Sequence, residues 1–267
     1  MSMKVFRQGV ALSFACSLAT ALPSAQTQAP VAPATRQKPV AADLPPAQSI
    51  IDRHIEAVGG REAIKSHNSV TVKGSMAVPA NGMTGTVELF AARPNKRLTK
   101  MNLAGIGEIT EGFDGKVAWS VSPMTGPMLA TGDELKEKAL DADFDGLLGV
   151  ASKYDAITTI EKTTFEGRPV YKIALTRKGG GGDDIEFYDV ETGLKAGGIA
   201  ERKSPMGTVS ATSVVSDYKK FGDILQPTVV KQTAMGAQIV MTIISVEYDK
   251  VAPTLFELPA EIKALVK

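Results

Sequence analysis

Apolar and polar residues alternate along several short runs of this chain, and that period of two limits its fold more than any other feature. In residues 69–78, SVTVKGSMAV, the side chains of Val70 and Val72 share one face and polar residues occupy the other. The same alternation recurs in residues 87–91, 117–121 and 171–175. Successive side chains of a β-strand point to opposite faces of its sheet, so each run predicts a strand with one apolar face.

Turn-forming residues separate these runs, in the stretches PANG, ARPN, FDGK, FEGR, KGGGGDD, VETG and KFGD. Turns at intervals of roughly 10 to 20 residues are typical of a long antiparallel meander, here of about ten to eleven strands. Residues 237–248, AQIVMTIISVEY, are apolar on both faces over most of their length. This composition predicts an inner strand with a neighbour on each side.

Two helices are expected beside the strands. Near residue 47 the apolar residues Ile51, Ile55 and Val58 recur at helical spacing, and Gly59-Gly60 ends the pattern. In mid-chain, Thr131 and Glu134 have the spacing of a capping box. An apolar stripe follows, made of Leu140, Phe144, Leu147 and Leu148. The sequence thus predicts a mainly β protein with an N-terminal helix and a central helix between the two halves of the sheet.

The first residues have the pattern of a secretory signal peptide. Lys4 and Arg7 precede an apolar run over residues 10–22, and small residues follow, with cleavage expected after Ala21 or Ala25. As a helix this run would be about 20 Å long, which is short of the roughly 30 Å of a hydrocarbon core. We therefore expect export to the periplasm and a mature chain without a transmembrane span.

The only cysteine, Cys16, lies within this leader. The residues before it, Ser13-Phe14-Ala15, suit a lipid-attachment site poorly, so a lipid-anchored form is disfavoured. The mature chain would then have neither a thiol nor a disulfide.

Residues 26–46 are rich in proline, alanine and glutamine and have no apolar period, which predicts a flexible tether. A single domain is expected over residues 47–267. The leader holds two of the 30 basic residues and none of the 29 acidic ones, so the mature chain stays near neutrality. A neutral chain gives no reason to expect nucleic acid as a partner.

The sequence has no motif of a known catalytic or metal site. Neither a G-x-S-x-G elbow nor an H-E-x-x-H pair occurs, and the two histidines, His54 and His67, are expected to be packed or at the surface. Residues 141–146, DADFDG, match the start of a calcium loop, but Ser152 stands where that loop needs a glutamate. We therefore expect no enzyme activity, no cofactor and no metal.

The remaining feature is a large sheet with an apolar face, which could cover either a solid core or a cavity. Several inward candidates are small or adaptable, among them Ala91, Met76, Met101 and Met241. Methionine fits varied apolar shapes because its side chain is unbranched and polarizable. The same residues are ordinary in cores, so both interpretations stay open on these grounds.

Residues 90–101, FAARPNKRLTKM, and residues 111–123, EGFDGKVAWSVSP, contain three features in a recognisable order. They are a basic-Pro-Asn turn at residues 93–95, an Asp-Gly-Lys turn at residues 114–116, and Trp119 three places later. In these features the chain resembles the periplasmic lipoprotein-carrier family with the LolA/LolB-like fold.

The resemblance implies a half-open antiparallel β-barrel whose apolar concave face holds acyl chains under a central lid helix. Arg93 matches the family's arginine at the cavity mouth, which helps to hold the lid shut, and Trp119 would line the concave wall. The predicted ligand-binding residues are Arg93, Met101, Phe113, Trp119, Leu140, Phe144, Leu147, Leu148 and Met241.

The function implied is that of a periplasmic, monomeric carrier of lipids or lipoprotein acyl chains to the outer membrane. The chain is longer than the standard carriers, which leaves two alternatives. One is a non-enzymatic lipid-sensing or interaction module that regulates an envelope partner, and the other is a structural protein of the outer envelope.

Overall fold

A computed structural model describes residues 44–178, 183–204 and 207–266. The predicted leader, Cys16 and all but the last residues of the predicted tether lie outside the described residues. The helices are α1 Ala47–Ala57, α2 Gly60–Ser66, α3 Gly132–Asp141, α4 Val150–Lys153 and α5 Ala260–Lys263, with a 3-10 turn at Pro253–Phe256. No helix in these described ranges is long and apolar enough to cross a membrane.

The described strands form one antiparallel sheet of 13. In the first half they are β1 Ser69–Val78, β2 Met83–Ala92, β3 Lys96–Leu103, β4 Gly107–Phe113, β5 Ala118–Ser122 and β6 Gly126–Leu129. In the second half they are β7 Tyr154–Phe165, β8 Arg168–Arg177, β9 Asp183–Asp189, β10 Lys195–Ser204, β11 Gly207–Phe221, β12 Ile224–Ala234 and β13 Ala237–Tyr248.

The strand order is β6-β5-β4-β3-β2-β1-β13-β12-β11-β10-β9-β8-β7, so the sheet is an open meander joined in the middle by β1 and β13. The predicted antiparallel class, N-terminal helix and inner position of β13 are confirmed. The strand count is higher than predicted, partly because β6 has only four residues and too few positions to show an alternation.

The two edge strands, β6 and β7, follow each other in the chain, so the connection between them has to pass across the sheet. This connection, residues 130–153, is called the crossover segment below. It contains α3 and α4, and it lies over one face of the sheet together with α1. That face is called the inner face, and the opposite one the outer face.

Helix α1 covers the inner face of the second half of the sheet. Its side chains Ile51 and Ile55 are fully buried against Ile173, Leu175 and Tyr188 of β8 and β9. Gly59 follows the end of α1, and its φ of 135° lies in a region that glycine adopts and other residues rarely do. A Cβ there would lie 2.6 Å from the carbonyl oxygen of Asp223, so only glycine permits this close approach of α1 to the turn between β11 and β12.

The crossover segment differs from the continuous helix that the apolar stripe predicts. Helix α3 ends at Asp141, and residues 142–149 are non-helical, with turns over 144–149, before α4 begins. The carboxylate of Asp143 accepts a hydrogen bond from the backbone N–H of Asp145 at 3.1 Å. Aspartate side chains that bond to the nearby backbone compete with helix, which explains the break.

Candidate functional site

An open cleft lies on the inner face, between α1, α2, the crossover segment and the middle strands of the sheet. Its volume is about 480 Å³. This falls within the roughly 300–1,000 Å³ that is usual for pockets that hold small ligands. The cleft is partly enclosed and its surface is mainly apolar.

The walls of the cleft come from both halves of the sheet. The apolar residues of the sheet that line it are Val70, Val72, Ala91, Val215, Ile224, Leu225, Pro227 and Val230. Val70 pairs with Ala91 on one side and with Tyr248 on the other, so these three side chains share the inner face. The alternation that the sequence predicts for β1 therefore supplies one wall of the cleft.

The crossover segment forms the opposite wall. Phe144 and Leu147 face the cleft, and Leu147 and Leu148 also pack against the buried cluster under α1. The backbone N–H of Phe144 donates to the carbonyl oxygen of Pro94 at 3.0 Å, which ties this wall to the turn between β2 and β3.

Arg93 joins three elements at the side of the cleft. Its guanidinium pairs with the carboxylate of Asp145 and lies 5.0 Å from the centre of the Phe144 ring. Its Nε donates to the carbonyl oxygen of His67 at 2.8 Å. The same side chain thus contacts the crossover segment and the loop between α2 and β1.

His67 lies in the cleft wall between two carboxylates. Its Nδ1 is 2.7 Å from Asp249 and its Nε2 is 2.8 Å from Asp223, and its ring stacks on Tyr248 at 4.1 Å. Burial alone would lower the pKa of His67, but the hydrogen bonds to Asp249 and Asp223 outweigh burial and raise this pKa above its ordinary value. Both ring nitrogens donate when the imidazole is protonated, which matches two acceptors.

We expect a pH dependence of stability from this arrangement. Because the pKa of His67 is raised on folding, its contribution is complete below its unfolded value of about 6.5 and is lost as the pH rises through the folded pKa. The thermal midpoint should therefore fall as the pH rises above about 6.5. His67→Gln should remove most of this fall. The measurement is thermal unfolding followed by circular dichroism across that range, and an identical pH slope in the variant would contradict the assignment.

The inner face next to α1 contains buried and half-buried polar residues. Lys195 lies 2.5 Å from Glu186, which also accepts a hydrogen bond from Tyr188 at 2.6 Å. Burial opposes ionisation of Glu186, but Lys195 and Tyr188 lower the pKa of this carboxyl overall. His54 packs edge-on against Tyr188, and burial followed by the charge of Lys195 lowers the pKa of His54 to about 4. His54 is thus a neutral, packed histidine at neutral pH.

The structure brings only some of the predicted site residues to the cleft. Phe144 and Leu147 line it, and Arg93 touches Phe144. Leu148 packs in the cluster under α1, and Leu140 is half-buried but does not line the cleft.

Phe113, Met101 and Met241 lie on the inner face but outside the cleft lining. Phe113 packs with Ala118 and Ala142 beneath the crossover segment. Met101 lies four residues along β3 from the cleft residue Arg97, and Met241 pairs with Val230, which does line the cleft. Met101 and Met241 extend the inner face toward the other end of the strands, whereas Phe113 lies beside Arg97 on the neighbouring strand β4.

Trp119 lies on the outer face, so the expectation that it lines the cavity wall is wrong. It pairs with Gly112, and its indole packs with Leu98, Phe256 and Ile262. The last two belong to residues 253–263, called the C-terminal segment below. A Cβ at Gly112 would lie 2.5 Å from the indole, so glycine makes room for the ring. The apolar partners of Trp119 come from residues that are far away in the sequence, and no local pattern indicates which face they cover.

Arg97 is a cleft residue that the sequence interpretation missed. Arg97 and Met101 are separated by an even number of residues on β3, so their side chains lie on the same face. Because Met101 was assigned to the inner face, this spacing could have identified Arg97. Arg97 pairs with Ala91 and Phe113, both on the inner face, and its side chain lines the cleft.

Known structures share this architecture. A LolA superfamily protein from Nitrosomonas europaea superposes with a TM-score of 0.55 at 15% identity, over 80% of this chain and 98% of that chain. The chain has a LolA-like fold. A DUF1329 family protein from Desulfovibrio piger matches with a TM-score of 0.55 at 12% identity, over 79% of this chain and 97% of that chain.

Sequence identities this low support a conclusion about the fold alone. The fold that the resemblance implies is thereby confirmed. No family model and no curated protein matches the sequence. Among the described residues, no group of three or more histidine, aspartate or glutamate side chains is placed to hold a metal ion.

Proposed function

We propose that this protein is a periplasmic, non-enzymatic binding protein that holds lipid or lipoprotein acyl chains in its cleft and carries them toward the outer membrane. One observation carries the proposal: an apolar cleft of about 480 Å³ lies between the inner face and the crossover segment. Pockets of this kind, with a few polar groups among apolar walls, are the usual sites of small-molecule binding.

The crossover segment acts as the lid in this proposal. Phe144 forms part of the cleft wall, and two of its contacts tie it to the turn between β2 and β3: the Pro94 hydrogen bond at 3.0 Å, and the guanidinium of Arg93. Arg93 also pairs with Asp145, whose second carboxylate oxygen is buried without a hydrogen-bond partner among the described residues. An unsatisfied buried oxygen costs free energy, so it lowers the stability of this lid position and favours movement of the lid when cargo enters.

Transfer of a hydrocarbon chain from water into the cleft supplies the binding energy. Each buried methylene contributes about 0.8 kcal/mol, so even a partly buried chain gains several kcal/mol before the entropic costs. The sequence has no nucleotide-binding motif, and release in this proposal follows from transfer to an acceptor that binds the chain more tightly.

The test is the binding of a fluorescent acyl probe to wild-type protein and to two matched serine variants on β11. Ser213 lines the cleft, whereas Ser216 has the opposite parity and faces outward. Ser213→Trp places an indole in the cleft and should weaken probe binding by about 10-fold or more, because an indole fills space that the chain needs. Ser216→Trp should bind the probe as wild type does.

A wild-type protein that does not bind the probe would overturn the proposal, and so would equal binding by wild type and a folded Ser213→Trp. Native mass spectrometry of the purified protein gives a second readout. Co-purified lipid would support a carrier. An empty cleft together with a stoichiometric envelope protein would contradict the carrier and support an interaction module.

A further inference from the structure

Arg97 is half-buried on the inner face, where it lies among apolar and polar residues. Its neighbours across the sheet are Ala91 and Phe113, and it lines both the central cleft and a smaller pocket of about 130 Å³ beside Phe113. An ionised side chain in such a place costs free energy unless it has charged or polar partners.

The contacts of Arg97 leave most of its donors unused. Its Nη1 donates to the backbone carbonyl oxygen of Asp141 at 3.3 Å, at the end of α3. Among the described residues, no carboxylate oxygen lies within 4.0 Å of its guanidinium nitrogens. A guanidinium carries five N–H donors, so a second acceptor can be bound without breaking this contact.

The acidic side chains near Arg97 are each paired with another cation. These pairs are Asp141–Arg177 at 3.6 Å, Asp143–Lys153 at 3.8 Å and Glu111–Lys138 at 2.7 Å. The other basic groups of the cleft are paired as well, since Lys195 contacts Glu186 and His67 lies between two aspartates. Within the described part of the chain, Arg97 is therefore the cleft cation without a carboxylate partner.

We propose that the cleft accepts an amphiphile with an anionic head group, a carboxylate or a phosphate, and that Arg97 is the side chain that binds this head group. This inference rests on the proposed function and specifies its ligand class. The planar fork of a guanidinium matches two oxygens of a carboxylate or phosphate, and such charge-assisted pairs are stronger than neutral hydrogen bonds. The apolar walls at Ala91 and Phe144 take the chain that follows the head group.

The choice of head group separates two kinds of cargo. An acyl chain attached to a protein through an ester or amide has no charge at its attachment point, whereas a free fatty acid or a lipid phosphate has one. A cleft with an unpaired guanidinium favours the charged, free lipid, because the uncharged cargo would leave Arg97 without a carboxylate or phosphate partner.

The experiment compares three ligands of equal chain length, hexadecanoate, hexadecyl phosphate and hexadecanol, by displacement of a fluorescent acyl probe. They are titrated into wild type, Arg97→Gln and Lys100→Gln. Lys100 lies on the same strand with the opposite parity, so Lys100→Gln removes one charge from the outer face and serves as the matched control.

We expect Arg97→Gln to weaken one or both anionic ligands by about 10-fold or more, with hexadecanol unchanged, since a charge-assisted hydrogen bond is lost. If the affinity for only one of the two anions falls, that anion identifies the head group. Lys100→Gln should bind all three ligands as wild type does.

Equal weakening of hexadecanol and the anions would make Arg97 a structural residue and overturn the inference. Unchanged anion affinity in Arg97→Gln would overturn it too, while probe binding by wild type would leave the proposed function standing. If wild type binds none of the ligands and no probe, the proposed function fails and the inference falls with it.

Discussion

Phe144→Glu is expected to weaken acyl-probe binding by about 10-fold or more while leaving the strand signal in circular dichroism unchanged. The ring of Phe144 is half-buried in the wall of the cleft, and its loss removes apolar surface on the order of one buried side chain, roughly 1.5–3 kcal/mol. A carboxylate in the same place also has to be desolvated when a hydrocarbon chain enters.

The control for Phe144→Glu is Lys136→Glu in the same crossover segment. Lys136 is exposed on α3, pairs with Asp133 and does not line the cleft, so its replacement changes the charge of the segment at a distance from the cleft. Lys136→Glu should bind the probe normally. Equal probe affinity in wild type and in a folded Phe144→Glu would show that the crossover segment is not part of the binding site.

Trp119→Ala is expected to lower the free energy of unfolding by about 3–5 kcal/mol, as truncation of a large buried aromatic residue does. Trp119 is 6% exposed and joins the sheet to the C-terminal segment through Phe256 and Ile262. Because it lies on the outer face, the folded fraction of the variant should keep the probe affinity of wild type.

Urea unfolding followed by circular dichroism measures this change, since the variant has no tryptophan fluorescence. Trp119→Phe serves as the conservative comparison and should cost clearly less, because most of the aromatic contact area remains. A stable Trp119→Ala with weakened probe binding would indicate that Trp119 lines the cleft and would contradict its placement on the outer face.

Local patterns were sufficient for the elements that bury one face. Ile51 and Ile55 recur at helical spacing and lie in the core beneath α1, and the alternation of Val70 and Val72 predicts β1 and its inward face. The central helix was predicted too long, because the stripe that ends at Leu148 continues through turns that Asp143 stabilises. Periodicity records which residues are apolar, whereas a helix also depends on whether side chains compete for its backbone hydrogen bonds.

The candidate site was predicted less completely than the fold. Phe144, Leu147 and Arg93 were identified from a resemblance and lie together, but Trp119 was assigned to the wrong face and Arg97 was not considered. Arg97 and Trp119 are both conspicuous residues on neighbouring hairpins, yet one faces the cleft and the other the C-terminal segment.

The sequence by itself determined the antiparallel meander, its N-terminal helix and the presence of a segment between its halves. These follow from contacts between residues close in the chain, where a period of two or 3.6 is enough. Only the tertiary structure decided which face of each strand surrounds the cleft. Both faces carry apolar residues, and the choice depends on distant partners: α1 and the crossover segment cover the inner face, and Phe256 and Ile262 cover the outer one. A shift of one residue exchanges the two faces of a strand, so the pairing of distant segments sets what local alternation leaves open.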